Sequence, residues 1–362
     1  KTAVAPQTPP PRPAGSGSVH VRGPAHTQHE LLRYGPLDPS TVRLYVQARS
    51  AYMASSQDAL PFYEAALARA PDHPMLRLGH LLARAQAEIA YQEPSVERLV
   101  VLRAEAEAAL AEFPDLGEPH LLMASICATA NQPIACATHA REALARNPNL
   151  PPAYFLLASM QLDVGRLDEA ERDLAVALAI NQHNPFLWTC RARLFARAGR
   201  WDEFYALAEG VLGDLHFRGP LLVRMMLWNP RHDVLERFAV NLAENIDGLP
   251  LPLCLEAQHV VHFMLDDDRR AHFEYLLAAH PGHRQSWMTR LYAQTLCEMA
   301  CQLGDLPRAR EQLAIALDNR LIDRQWIDHC PLLAPMRGER QFAEVRARVY
   351  RNADAVDAAF TD

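Results

Sequence analysis

The sequence predicts an all-α fold built as a run of helix-turn-helix hairpins. Three observations predict it. The 362 residues include 58 alanines and only 15 glycines, and alanine favours helix because it gives up no side-chain entropy there. Alternating runs of Val, Ile and Thr, which would mark half-buried strands, are hard to find. Finally, one residue pattern returns every 34 residues in stretches that begin at Gly117, Pro151 and Pro185. Self-similarity at a fixed period of that size marks a repeat architecture.

Residues 1–38 are a different material. The stretch from Ala5 to Ser18 is proline-rich and ends in Gly-Ser-Gly-Ser, with almost nothing to bury, so a disordered linker is expected there. Residues 39–215 read as a regular array. Its first unit, 40–71, carries Ala59, Tyr63 and Ala66-Leu67 and closes on Pro71. The next, 72–114, is about nine residues longer than the repeat, so its connection or its second helix must be extended.

The three regular units follow, and their recurring residues have physical jobs. Ala124, Ala158 and Ala192 fall where two helices must approach closely, and Ala170 and Ala177 form a matching stripe on a second helix. Gly165 and Gly199 stand where a left-handed cap ends a first helix. Asp168 and Asp202 open second helices, where a carboxylate suits the helix dipole. Asn147-Pro148 is a stop signal, and Tyr154 and Trp188 are bulky fillers between hairpins. In residues 216–282 helices are expected at Leu221–Trp228, Asp233–Glu244, Leu253–Leu265 and Arg269–His280. Met225, Met226, His259, His262 and Phe263 replace the small residues there, so these read as degenerate hairpins. Residues 283–362 hold a last hairpin, with Gly304, Ala309 and Ala316-Leu317, and then a closing cap. Trp326, Leu332, Leu333 and Phe342 supply its apolar plug, ahead of a helix from Ala343 to about Arg351 whose outer face carries Arg346, Arg348 and Arg351.

The spacing, the small residues and the bulky Tyr/Trp together resemble the tetratricopeptide repeat (TPR) family. The stretch Trp326 to Phe342, with its Cys-Pro-Leu-Leu-Ala-Pro core, is similar to the closing segment of TPR arrays in large bacterial regulators linked to serine/threonine kinase, cyclase or winged-helix domains. The resemblance implies an α-solenoid, a right-handed superhelix whose inner wall is lined by the first helix of each hairpin. It also implies which residues face the groove: Leu121, Ser125 and Thr129, then Phe155, Ser159 and Leu162, then Phe186, Thr189, Arg193 and Arg197. That mixture suits a protein or peptide partner, an extended peptide or a helix with acidic character. The family's clamp for a C-terminal carboxylate uses lysine, asparagine and arginine at inner positions that here hold Leu121, Ser125, Leu156 and similar residues, and no lysine is available, so that clamp is not expected.

Composition excludes several other functions. Of the 36 basic residues only Lys1 is lysine, which removes the phosphate-loop lysine, the kinase strand lysine and a Schiff-base cofactor site. A net charge of −7 and a pI near 6.2 argue against nucleic acid. The longest apolar run, Leu174 to Ile180, is far short of the roughly 20 residues that a membrane span needs. Seven cysteines scattered through helical segments read as reduced core residues, and a cytoplasmic setting is expected. The chain opens on Lys1 and not on methionine, and is expected to be a processed or domain-level piece.

No metal or cofactor is expected. Glu256 and His259 make a single Glu-x-x-His where a bundle di-iron site needs two. Cys297 and Cys301 lack paired ligands of zinc spacing. Asp266-Asp-Asp268 reads as a helix start. No nucleophile motif is present, so no catalytic residue is expected. The expected function is a non-catalytic protein-interaction module, a regulatory arm of a larger bacterial signalling protein. The alternatives are the C-terminal part of a kinase whose catalytic domain lies upstream, and a solenoid that senses a small ligand in 216–282.

Overall fold

The computed structural model describes residues 31, 34–53, 58–91, 95–182, 184–211, 219–244, 251–280 and 287–361. Most of the expected linker lies outside the described residues. The fold is all-helical, with no strand among the described residues. In chain order the helices are α1 (Pro39–Met53), α2 (Ala59–Leu67), α3 (Pro74–Tyr91), α4 (Val96–Glu112), α5 (Glu118–Thr129), α6 (Pro133–Arg146), α7 (Pro151–Val164), α8 (Leu167–Ile180) and α9 (Pro185–Arg197). There follow α10 (Trp201–Val211), α11 (Gly219–Met226), α12 (His232–Glu244), α13 (Leu251–Leu265), α14 (Arg269–Ala279), α15 (Trp287–Gln302) and α16 (Leu306–Asp318). The short α17 (Arg324–His329), a 3-10 turn (Pro331–Met336) and α18 (Arg340–Ala358) complete the chain.

Local chemistry sets these boundaries. Asp38 Oδ1 accepts from the backbone N–H groups of Ser40 and Thr41 at 2.9 and 3.1 Å and caps α1. Asn184, Asp305 and Asp323 cap α9, α16 and α17 in the same way. Proline stands in the first turn of α5, α6, α7, α9 and α16, where its missing N–H costs nothing.

The turns between paired helices repeat one geometry. Asn131, Gly165 and Gly199, spaced 34 apart, all have positive φ, at 54°, 89° and 71°. Beside each, a backbone N–H reaches back over the turn to the same relative carbonyl: Gln132 to Cys127, Arg166 to Gln161 and Arg200 to Phe195, each at 2.8 Å. The bond closes the helix end and requires a left-handed residue inside it. Glycine adopts that conformation freely. Asparagine, whose short side chain tolerates it, does the same job at 131.

The alanines sit at the closest approaches. Ala124, Ala158, Ala192, Ala170 and Ala177 are all fully buried. Within hairpins α5 packs on α6, α7 on α8 and α15 on α16; between hairpins α5 meets α7, α7 meets α9, and α9 meets α11. Gly117 is tighter still. A Cβ there would lie 2.4 Å from the Ala143 carbonyl oxygen and 3.0 Å from Leu150 Cδ1. Its φ of −78° suits any residue, so the constraint is space alone. Gly117→Ala is therefore expected to cost about 1–3 kcal/mol through overpacking, read as a lower urea midpoint with unchanged slope.

Two expectations are refined. The long unit 72–114 is extended in both helices: α3 has 18 residues and α4 has 17, against 12 and 14 in α5 and α6. The final helix is also longer than expected, 19 residues from Arg340 to Ala358. Its extra turns are stabilised by distant partners. Ala353 and Val356 form a small cluster with Val164 and Ile322. Arg166 Nε donates to Asp357 Oδ1 at 2.5 Å, and Arg141 Nη1 to the Ala359 carbonyl at 2.6 Å. The chain's end thus folds back on α6 and α7. The apolar plug is as its residues suggest: Trp326, Leu333 and Phe342 are buried in the largest core cluster.

Candidate functional site

The ten groove residues fall into four groups. Leu121, Thr129, Leu162 and Thr189 are buried. Ser125 is half-buried, and its hydroxyl is spent on the backbone, donating to the Leu121 carbonyl at 3.0 Å. Phe155, Ser159, Phe186 and Arg193 are half-buried and come together across α7 and α9. The two phenyl rings meet at 5.5 Å with planes inclined by 50°. Ser159 Oγ lies 3.6 Å from Cys190 Sγ. Arg193 Nη2 donates to Asp163 Oδ1 at 3.0 Å.

Arg197 is different. Its side chain is fully buried and makes a two-pronged pair with Asp323, 2.6 Å from Oδ1 and 2.5 Å from Oδ2. It also donates to the Leu162 carbonyl at 3.0 Å. Burial opposes both charges, but each is outweighed by its partners: Asp323 and Asp163 push the guanidinium above its ordinary pKa, and Arg197 pulls the Asp323 carboxyl below its own. Asp323 further caps α17 through the Trp326 N–H at 2.8 Å and accepts from Gln294 Nε2 at 3.3 Å. Arg197, expected to face a partner, holds the chain's own C-terminal segment.

The surrounding interior is polar and rich in arginine. Arg290, on α15, donates to Asn131 Oδ1 at 3.3 Å and to the Arg320 carbonyl at 3.2 Å. Asn131 Nδ2 in turn donates to the Asn319 carbonyl at 2.8 Å. Burial lowers the pKa of Arg290; Asp163 and Asp323 oppose that shift, while Arg193 and Arg224 add to it. Arg290 is half-buried, and no carboxylate is in contact with it among the described residues.

The six cysteines whose side chains are described are free and buried. Burial pushes the thiols of Cys127, Cys136, Cys190, Cys297 and Cys330 upward, so they are poor nucleophiles. The histidines regroup relative to the sequence reading. Glu256 does not join His259; its Oε1 lies 2.8 Å from His280 Nε2, and its Oε2 accepts from Tyr292. His262 instead converges with Asp266 and with His272 of the next helix. Spacing within one helix does not point to His272, which lies across the turn on α14. His259 meets His272 through their Nδ1 atoms at 2.9 Å, and burial together with the neighbouring histidines lowers its pKa.

No helix among the described residues is long and apolar enough to cross a membrane. No protein-family model matches the chain, and no curated protein matches it.

Proposed function

We propose that the chain is a non-catalytic interaction module, a TPR-type α-solenoid coiled as a right-handed superhelix, which takes a peptide or partner helix of acidic character on its inner wall. The observation that carries this reading is the half-exposed Phe155–Phe186 pair, with half-buried Arg193 about two turns further along the helix of Phe186, on adjacent first helices of the repeat. An aromatic pair offers apolar anchoring area, and a guanidinium offers a planar fork for carboxylates. Arg290, half-buried and within the field of Asp163 and Arg193, adds positive charge to the same interior. The similarity of Trp326–Phe342 to the closing segments of bacterial regulators supports a place as the regulatory arm of a signalling protein.

The test is an array of acidic and neutral peptides, with the best acidic binder then measured by fluorescence anisotropy. Phe186→Ala and Arg193→Gln are each expected to weaken it about tenfold or more, as removing a buried anchor does. Unchanged affinity in both variants, or no acidic binder at all, would overturn the groove reading. Arg197 is left out of the test because its loss would disturb the fold.

A further inference from the structure

We propose that His262, Asp266 and His272 form a binding site for a divalent transition-metal ion of the zinc type, joining the end of α13 to the start of α14. Asp266 Oδ2 lies 3.1 Å from His262 Nδ1 and 3.1 Å from His272 Nε2. All three donor atoms lie within 4.8 Å of one another. With zinc–ligand bonds of about 2.0–2.1 Å, donors on a tetrahedron stand about 3.3 Å apart. Two of the three edges are thus already close to ligand spacing, and the third can contract by small side-chain rotations.

A histidine ligand needs its second nitrogen fixed, and His272 has that too. When Nε2 faces a metal, the ring proton sits on Nδ1 and must be accepted by something. His259 Nδ1, at 2.9 Å, is placed to accept it. The His259 ring is itself held flat against Tyr275, with centroids 3.7 Å apart and planes inclined by 15°. This is the ligand-plus-orienting-partner arrangement that metal sites require. Among the described residues Asp266 pairs with no arginine; its only ion-pair neighbours are the two histidines.

The donor set also selects the ion. Two imidazoles and one carboxylate suit zinc, cobalt, nickel or copper, whereas calcium and magnesium take oxygen ligands. His262 and Asp266 are 42% and 44% exposed, so water or a partner's side chain can complete the coordination from outside. The ion would bridge the turn at 266–268 and stiffen this hairpin against its neighbours.

The test uses the full chain, freed of metal with a chelator, in a background where His20, His26 and His29 are replaced by alanine so that the N-terminal stretch cannot contribute. Zinc chloride is titrated by calorimetry, and cobalt chloride by visible absorption. One equivalent of zinc with a raised Tm is expected, and a tetrahedral d–d band with cobalt. His262→Ala and His272→Ala should each weaken zinc binding about 100-fold or more while keeping the apo far-UV dichroism. His259→Phe, which leaves all three ligands, should weaken it about 10–100-fold. No binding by the background chain, zinc binding by either ligand variant as tight as that of the background chain, or stabilisation by calcium equal to that by zinc would overturn the proposal.

Discussion

Replacing Glu298 by alanine is expected to destabilise the fold by about 3–5 kcal/mol, the cost of leaving one member of a buried ion pair uncompensated. Glu298 lies on α15 with no exposure. Its Oε1 accepts from Trp326 Nε1 at 2.6 Å, from Arg224 Nη2 at 2.8 Å and from Trp228 Nε1 at 3.2 Å. These donors belong to α17 and to α11 with the residues just after it, so one carboxylate ties two distant segments to α15 inside the largest core. Removing it strands the Arg224 guanidinium, which is 3% exposed, in an apolar setting. The check is urea denaturation followed by far-UV dichroism. The double variant Arg224→Met/Glu298→Gln should recover part of the loss, because it removes both charges and leaves an amide oxygen to accept from the two indole N–H groups. A Glu298→Ala chain within about 1 kcal/mol of the wild type would mean that water reaches the site.

The parts of this molecule that repeat, and the apolar plug of its closing segment, are legible in the sequence; the distant polar partners that hold that segment in place are not. Ala124, Ala158 and Ala192 could be assigned to helix contacts because a methyl-sized residue recurring at 34 has one simple explanation, and all three are fully buried. The turn at Asn131 is harder to read because asparagine, unlike glycine, is not a specific mark of a left-handed cap; only its 34-residue offset to Gly165 points to it. Arg193 and Arg197 stand one helical turn apart and looked equivalent. Their difference comes from Asp323, 126 residues further on, which periodicity cannot place. For the same reason the sequence alone understates the length of α18: the groups that sustain its last turns, Arg166, Arg141 and Val164, belong to helices α6 and α7 and the residues around them. His272 joins His262 only because α13 and α14 pack antiparallel across a tight turn.

Arg197→Ala should be nearly as damaging as the loss of Glu298, about 3–5 kcal/mol, but its damage should be localised. Arg197 is the buried end of a bridge from α9 to Asp323, and Asp323 also caps α17. Without the guanidinium, the carboxylate keeps only Gln294 and the Trp326 N–H, and the attachment of residues 319–361 to α7 and α9 loses its charged core. Hydrogen exchange should accelerate across that segment more than across α5 and α6. A double-mutant cycle of Arg197→Ala with Asp323→Ala should return a coupling of about 2 kcal/mol or more, since the pair is fully desolvated. The same cycle on Arg340 and Glu344, which are 94% and 65% exposed, should return about 0–0.5 kcal/mol. Equal couplings at the two sites would mean that the Arg197 pair is solvated and that the C-terminal segment is held by its apolar contacts alone. The contrast also bears on function. An arginine already committed to Asp323 can offer nothing to a partner, so an acidic ligand at the Phe155–Phe186 face would have to be met by Arg193 and Arg290, and Arg193 would first have to share or release Asp163.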